Sequence, residues 1–342
     1  MKKFRLILFL LLAVAWGVEA ATINVSKDPD NPGQYDDITD AMEAASSGDT
    51  LQISSGYYGS PSITKKLVFI GQGESTGFGR VTIREEASGS KFFGISFEAY
   101  IMNDTDDILI EKCKISFRFS NNFGINSQNI VVRNSIVERF IYLFFPGDEL
   151  DSIYFENNII TTGILNSNSG GSQVLDYKGE VVFKNNLFIN VRTPFGNPAF
   201  RNVKKIILEN NIFYNAEPVG CTECTFINNL TFDNENNNLL GSESENPNSV
   251  GSGNIIGQDP LFEDYAGEDI DDVEDFSVFN LQSTSPAKGA GTDGTDLGIY
   301  GGSFPWNIDV ASIIPEVTSL IIEKGGVPIN GQLEFTFSAE KQ

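Results

Sequence analysis

The sequence predicts an all-β protein, a right-handed parallel β-helix wound from stacked coils. Two observations predict this fold. A segment with an asparagine between apolar residues recurs along the chain, and in four of the five copies a second asparagine follows. The aligned asparagines stand at intervals of 18 to 28 residues: Asn134, Asn157, Asn185, Asn210 and Asn228. Within each copy apolar and polar residues alternate with the period of a strand. A repeat of this length is typical of one solenoid domain.

Residues 1–20 are predicted to be a signal peptide. Lys2, Lys3 and Arg5 form a basic head, a short apolar run follows over residues 6–15, and small residues end at Ala20. The run is too short to span a bilayer, so we expect cleavage and no membrane insertion. The mature protein is therefore expected outside the cytoplasm: extracellular, periplasmic or on the cell surface.

A short helix is predicted near the start of the mature chain. Four apolar residues fall on one helical face: Ile38, Ala41, Met42 and Ala45. Asp37 can cap the N-terminus of this helix, and Gly48 ends it. We expect the helix to cover the first coil, whose unpaired strand edges would otherwise pair with other chains.

The β-helix domain is predicted over residues 21–302, with three columns of inward-facing apolar residues. The first column is Ile108, Ile130, Ile153, Val181 and Ile206. The second is Ile110, Val132, Phe155, Phe183, Leu208 and Phe226. The third is Ile115, Val137, Ile160, Phe188 and Phe213. β-Branched and aromatic residues suit such a buried, pleated surface.

The Asn-Asn pairs are predicted to turn the corners between strands, because asparagine tolerates left-handed backbone and its side chain can bond neighbouring backbone. A column of charged residues with alternating sign precedes this corner position in successive copies: Glu111, Arg133, Glu156, Lys184 and Glu209. We interpret it as a salt-bridge ladder on an exposed face. The alternative is that it contains a catalytic carboxylate and base.

Two stretches of sequence resemble the pectate-lyase-like superfamily of right-handed β-helices. The N-terminal stretch is Ile38 to Ile53 followed by Gly56-Tyr-Tyr58. The second stretch is similar to the closing coils of many secreted bacterial members: Asp259-Pro-Leu-Phe262, Phe279-Asn-Leu281, Ser285-Pro-Ala-Lys-Gly289 and Asp296 to Gly302. The resemblance covers residues 22–302. It implies a fold rather than an activity, because the superfamily includes lyases, hydrolases, esterases and adhesins.

Residues 303–342 differ in composition from the coils and are predicted to form a short C-terminal β extension. Prolines separate two β-prone runs, Leu320–Ile322 and Leu333–Phe337. This segment is too short for a separate carbohydrate-binding domain.

The net charge of −23 and the absence of histidine restrict the function. Nucleic acids and anionic membranes require clustered Lys and Arg, so we expect neither as a partner. Without histidine, Ser-His-Asp and Cys-His catalysis and His-based metal sites are excluded. No set of catalytic residues is identified.

One basic stretch is predicted to bind substrate: Arg192, Phe195, Phe200, Arg201 and Lys204. Arginine can bind a carboxylate through two hydrogen bonds, and the aromatic rings can stack on sugars. The superfamily resemblance implies that a basic residue of a β-helix lyase removes the proton beside a uronate. Arg192-Thr-Pro194 is similar to the start of an R-x-P-x-x-R motif, but Asn197 replaces the second arginine. The alternative is a loop whose bases balance nearby acids.

Two further groups have the composition of metal sites. The acidic run from Glu263 to Asp275 contains a candidate calcium site: Asp269, Asp271, Asp272 and Asp275. The alternative is a solvated insertion. Cys221 and Cys224 have the spacing of a local disulfide, of two buried thiols, or of a metal or redox pair. Cys113 is then expected to be an unpaired, packed thiol.

Three functions remain open on this sequence. The first is a secreted or surface β-helix protein that binds polysaccharide, including anionic polysaccharide. The second is a lyase or hydrolase that acts on uronate-rich glycans. The third is a structural or adhesive surface module.

Overall fold

The computed structural model describes residues 20–102, 104–119, 127–138, 141–142, 152–165, 180–191, 199–201, 203–234, 246–310, 316–322 and 335–340. The predicted signal peptide lies outside these ranges except for Ala20. None of the described helices is long and apolar enough to cross a membrane.

Short strands make up most of the described structure. They begin with β1 Thr22–Val25, β2 Thr50–Ile53, β3 Gly56–Tyr57, β4 Ser62–Ile63, β5 Val68–Ile70, β6 Thr76–Ile83, β7 Lys91–Phe93, β8 Ser96–Ile101, β9 Leu109–Glu111, β10 Lys114–Phe119, β11 Ile130–Arg133, β12 Ile136–Val137, β13 Ile141–Tyr142 and β14 Ser152–Glu156. They continue with β15 Ile159–Ile160, β16 Ile164–Leu165, β17 Glu180–Lys184, β18 Leu187–Ile189, β19 Phe200–Arg201, β20 Val203–Lys204, β21 Ile206–Glu209, β22 Ile212–Tyr214, β23 Cys221–Thr222, β24 Thr225–Ile227, β25 Leu230–Phe232, β26 Val250–Ser252, β27 Glu316–Ile322 and β28 Phe335–Glu340. The helical elements are α1 Ile38–Ala44 and 3-10 turns at Gly73–Ser75, Glu85–Ala87, Ile270–Asp272 and Phe276–Phe279.

The strands stack into two long parallel sheets. Within the described ranges, the first sheet has 11 strands, in the order β1-β2-β5-β7-β9-β11-β14-β17-β21-β24-β26. The second has 13 strands, in which β3 and β4 pair with β6, and β8 and β10 follow. From β10 it continues along β12-β15-β18-β22-β25 and along β13-β16-β19. This confirms the predicted right-handed parallel β-helix.

The three predicted apolar columns form the interior. Ile130, Ile153, Val181 and Ile206 are aligned strand by strand, and all three columns are buried. In the second column the rings of Phe155 and Phe183 stack with centroids 4.6 Å apart. Stacking continues in the third column, where the Phe188 and Phe213 centroids are also 4.6 Å apart. Apolar side chains therefore fill equivalent positions on successive coils, as the repeat predicts.

The first asparagine of each pair turns the corner. Asn157, Asn185 and Asn210 have φ angles of 52°, 55° and 59°, in the left-handed region. The second asparagines point inward and form a buried ladder: Asn158, Asn186, Asn211 and Asn229. The side-chain oxygens of Asn186, Asn211 and Asn229 each accept from the backbone N–H and the side-chain amide of the asparagine one coil before. The ladder satisfies backbone groups that burial at the corner would otherwise leave unpaired.

The column of alternating charges lies on the outside of the first sheet. Arg133 Nη2 is 2.9 Å from Glu111 Oε2, and Lys184 Nζ is 3.0 Å from Glu209 Oε1. Glu156 is aligned with Arg133 on one side and with Lys184 on the other. The predicted ladder is therefore formed at its two end pairs, and Glu156 lies in register between the two cations.

Residues 259–309, the strap, run back along the coils. Asn228 Nδ2 donates to Ala290 O, Asn157 Nδ2 donates to Ile299 O, and Lys112 Nζ donates to Asp309 O. The corner asparagines therefore bind the strap through their side chains. The strap also covers apolar residues on the outer face of the second sheet: Ile136, Ile159, Leu187, Ile212 and Leu230. Its own side chains in this cluster include Leu297, Ile299 and Trp306.

Helix α1 begins where the sequence predicts. Asp37 Oδ1 accepts a hydrogen bond from Thr39 N at 2.7 Å, and Ile38, Ala41 and Met42 are buried. At the other end of the chain, β27 and β28 pair as an antiparallel hairpin. Whether the helix serves as a cap and the hairpin as an extension of the β-helix domain stays a prediction.

Candidate functional site

The predicted basic site is not assembled by the described residues. Arg192 and Phe195 lie outside the described ranges. Phe200 was expected to offer its ring to a sugar, and this is wrong: the residue is fully buried, with its ring centroid 5.8 Å from that of Phe188. Strand β19 pairs with β16 and turns Phe200 into the core.

The two remaining members of that prediction lie on short strands. Arg201 is partly exposed at the end of β19. Lys204 Nζ is 3.0 Å from Glu223 Oε1 on the neighbouring coil. This ion pair favours the alternative interpretation, in which the basic residues balance local acids.

The candidate calcium ligands do not converge. Asp271 Oδ1 is 2.7 Å from Lys114 Nζ, and Asp275 Oδ1 accepts from the backbone of Ser277. Within the described part of the chain, no group of three or more Asp, Glu, Cys or His side chains could hold a metal ion. The geometry therefore gives no support to calcium at Asp269, Asp271, Asp272 and Asp275.

Cys221 and Cys224 are joined by a disulfide. Of the three alternatives left by the sequence, this is the local disulfide rather than two buried thiols or a metal or redox pair. Cys113 is a free, buried thiol. Burial raises its pKa to about 12, so it stays protonated and unreactive.

A polar groove lies on the outer face of the second sheet, over β6, β8 and β10. It encloses about 220 Å³ and is lined by Phe78, Gly79, Arg80, Ser96, Phe97, Glu98, Lys114, Ile115, Ser116 and Glu138. On the later coils this face is apolar and lies under the strap. On β8 the outward side chains are Ser96, Glu98 and Tyr100, because alternate residues face the core. The groove is therefore a polar part of the outer sheet face beside the strap.

Lys114 links three carboxylates at the strap side of the groove. Its Nζ lies 2.8 Å from Glu138 Oε1, 2.7 Å from Asp271 Oδ1 and 3.5 Å from Glu74 Oε2. The Lys114 side chain is 19% exposed, whereas that of Asp271 is 64% exposed. Since Asp271 belongs to the strap, this cluster connects the strap to the sheet.

The two main carboxyls of the cluster have shifted pKa values of opposite sign. Burial raises the pKa of Glu138, and a hydrogen bond with Asp271 raises it further. The hydrogen bond from Lys114 lowers the pKa of Asp271, and that with Glu138 adds to the effect. Burial opposes the charge of Lys114, but its hydrogen bonds to Asp271 and Glu138 outweigh burial and raise its pKa. Lys114 therefore stays protonated at neutral pH.

Replacing Lys114 by glutamine is expected to raise the pKa of both carboxyls, since the lysine lowers both. Asp271 should then stay protonated to higher pH than in the wild-type chain. Side-chain carboxyl chemical shifts followed from pH 2 to 8 measure this directly. An unchanged titration of Asp271 would mean that Lys114 does not contact it in solution.

At its far side the groove contains a second ion pair, and the aromatic rings of Tyr57 and Tyr100 lie nearby. Arg80 Nη2 binds both oxygens of Glu98, at 3.1 and 3.3 Å, and its guanidinium lies 5.4 Å from the centre of the Tyr100 ring. Tyr57 is 61% exposed and aligned with Gly77 in β6. A Cβ on Gly79 would lie 2.7 Å from the Tyr57 hydroxyl. Small residues on β6 therefore leave room for this ring.

The asparagine repeat does not indicate this groove, but the sequence of β8 contains a signal for it. In β8 the core residues Phe97, Ala99 and Ile101 alternate with Ser96, Glu98 and Tyr100. This alternation predicts a strand with a charged outer face. The asparagine repeat was aligned only from residue 108 onward, and the earlier strands carry no Asn-Asn pair to reveal them.

The charged groups of this cluster differ in the proton chemistry open to them. Lys114 stays protonated, so it does not act as a general base, whereas the raised pKa of Glu138 is the direction expected of a general acid. Glu138 and Asp271 hydrogen-bond each other. Paired glycosidase carboxyls instead stand about 5 Å or more apart, with the sugar between them.

Two solved structures of polysaccharide lyases resemble this chain. The crystal structure of pectate lyase Pel9A aligns with a TM-score of 0.53 at 14% identity, covering 82% of this chain and 96% of that one. A rhamnogalacturonan lyase aligns with a TM-score of 0.51 at 11% identity, covering 78% and 96% of the two chains. No family model and no curated protein matches the sequence. At such identities the likeness concerns the fold.

Proposed function

We propose that this chain, which has the pectate-lyase-like β-helix fold, binds polysaccharide in the groove over β6, β8 and β10. The observation that carries the proposal is the groove itself. It combines paired charged groups with the hydroxyls of Ser96 and Ser116, and the exposed ring of Tyr57 borders it beside Gly79. Aromatic rings stack on the apolar faces of sugars, and polar groups around them bind hydroxyls.

The shape of the surface also supports a chain-like ligand. Tyr57, Gly77 and Ser96 lie on successive strands of the second sheet and are aligned across it. Neighbouring parallel strands are about 4.8 Å apart, so three strands span a distance comparable with two sugar units. An extended glycan can lie across several coils at once.

Replacing Tyr57 by alanine is expected to weaken glycan binding roughly two- to tenfold, the loss of one stacking contact. Stability should hardly change, because the ring is mostly exposed. A glycan array screened with the full chain finds the ligand, and calorimetry then compares the variant with the wild type. The matched control is Phe304→Ala, which removes another exposed ring, beside Arg133 rather than beside the groove. Equal affinities for all three proteins would contradict the proposal.

A polysaccharide lyase or hydrolase is the second candidate, favoured by the names of the two structural neighbours. A lyase would release unsaturated product that absorbs in the ultraviolet, and a hydrolase would release new reducing ends. Binding without cleavage is the first choice, because the carboxyls of Glu138 and Asp271 contact each other rather than standing apart around a sugar. A structural or adhesive module, the third alternative, would bind cells or matrix without dependence on a glycan.

We further propose that the protein acts outside the cytoplasm, with residues 1–20 as its signal peptide, 21–302 as the β-helix domain and 303–342 as the extension. The Cys221–Cys224 disulfide supports this location, since such bonds persist mainly in oxidising compartments. The buried face of α1 is consistent with a cap on the first coil. Mass spectrometry of the exported protein would test cleavage after Ala20.

A further inference from the structure

The charges around the groove are unequal. Among the described side chains, the carboxylates of Glu74, Glu98, Glu138 and Asp271 surround the cations of Arg80 and Lys114. Even with Glu138 protonated, the carboxylates outnumber the cations. The whole chain has a net charge of −23, so its long-range electrostatic field is negative, like the excess charge of the groove.

Both cations among the described side chains of the groove, Arg80 and Lys114, already bind carboxylates. Arg80 contacts both oxygens of Glu98, and Lys114 lies within 3.5 Å of three acids. An entering uronate would have to displace one of these carboxylates or lie beside it unpaired. Like charges placed together at a binding surface repel each other, so the groove opposes the binding of an anionic sugar.

Hydroxyl groups meet no such barrier. Ionised carboxylates accept hydrogen bonds, and the serine hydroxyls of the groove both accept and donate them. A neutral sugar can therefore bond to Glu98, Ser96 and Ser116 without separating any ion pair. Its apolar face can rest on the Tyr57 ring.

We propose that this groove selects uncharged glycan chains and rejects uronate-containing ones. The inference rests on the proposed function and specifies its ligand class. It differs from the anionic ligand that the basic stretch around Arg192 suggests. It also differs from what the name of pectate lyase Pel9A implies for that neighbour.

The test uses probes that share one backbone and differ only in charge. These are fully methyl-esterified and de-esterified oligogalacturonides of equal length, together with cellohexaose and its carboxymethylated form. We expect the full chain to bind the uncharged member of at least one pair about tenfold or more tightly. Added salt should strengthen binding of the charged member, since it screens repulsion. Binding of the neutral member should change little.

A variant that reverses the preference makes the test specific to the groove. Glu98→Gln removes one carboxylate and releases the guanidinium of Arg80, so affinity for the de-esterified probe should rise about tenfold. The control is Glu43→Gln, which changes the net charge equally at an exposed position on α1. It should leave both affinities unchanged.

The outcomes distinguish this inference from the function on which it rests. If the charged probes bind as tightly as the neutral ones, or more tightly, charge selection is overturned while glycan binding stands. If Glu43→Gln acts as strongly as Glu98→Gln, the effect is one of net charge and the groove is not the selector. If no glycan binds, the proposed function fails and the inference fails with it.

Discussion

Replacing Asn211 by alanine is expected to lower the free energy of unfolding by about 3–6 kcal/mol, because two or three buried polar groups lose their partners at about 1–3 kcal/mol each. Asn211 Oδ1 accepts from Asn186 N at 2.9 Å and from Asn186 Nδ2 at 3.0 Å. Its own Nδ2 donates to Phe183 O at 2.8 Å and to Asn229 Oδ1 at 2.9 Å. Alanine replaces none of these bonds.

Urea unfolding followed by circular dichroism measures the loss. Asn31→Ala is the matched control, since Asn31 is exposed and its truncation should cost less than about 0.5 kcal/mol. A loss below about 1 kcal/mol at Asn211 would show that water molecules replace the lost hydrogen bonds, and therefore that water reaches this corner.

Phe183→Ala is expected to cost about 3–5 kcal/mol, the usual penalty for truncating a buried aromatic side chain. Phe183 is fully buried. Its ring stacks on Phe155 at 4.6 Å and lies 5.9 Å from Phe188. The cavity would open between two coils whose backbones are tied by their strand pairing, so the walls have little freedom to collapse.

The comparison for this variant is Phe304→Ala, where the ring is 42% exposed. We expect a loss of about 1 kcal/mol or less there, mainly from its contact with Arg133. Thermal unfolding of both variants at one protein concentration gives the difference. Equal losses would mean that Phe183 is not packed in a dry core.

The sequence predicted the fold well where its repeat is explicit. Asn157, Asn185 and Asn210 occupy the corner position that their spacing indicates, and the apolar columns face inward. These features are local consequences of strand alternation and of the backbone preference of asparagine. The residue pattern of one coil therefore predicts which residues of the next coil face inward and which residue turns the corner.

The site was less predictable because it depends on contacts distant in sequence. Lys114 and Asp271 lie on different elements, and no local pattern indicates that the strap brings them to 2.7 Å. Phe200 illustrates the opposite error. A phenylalanine next to basic residues suggested a surface loop, but two-residue strand β19 turns it inward. Short strands of this kind leave almost no periodic signal.

The strap has a consequence for the order in which the protein can fold. As the chain emerges from the ribosome, the coils up to Leu230 are complete before residues 259–309 exist. Ile159, Leu187 and Ile212 would then form an uncovered apolar stripe. Apolar surface that is exposed during synthesis favours aggregation. We therefore expect the nascent coils to be prone to aggregation until the strap has been synthesised and covers this stripe.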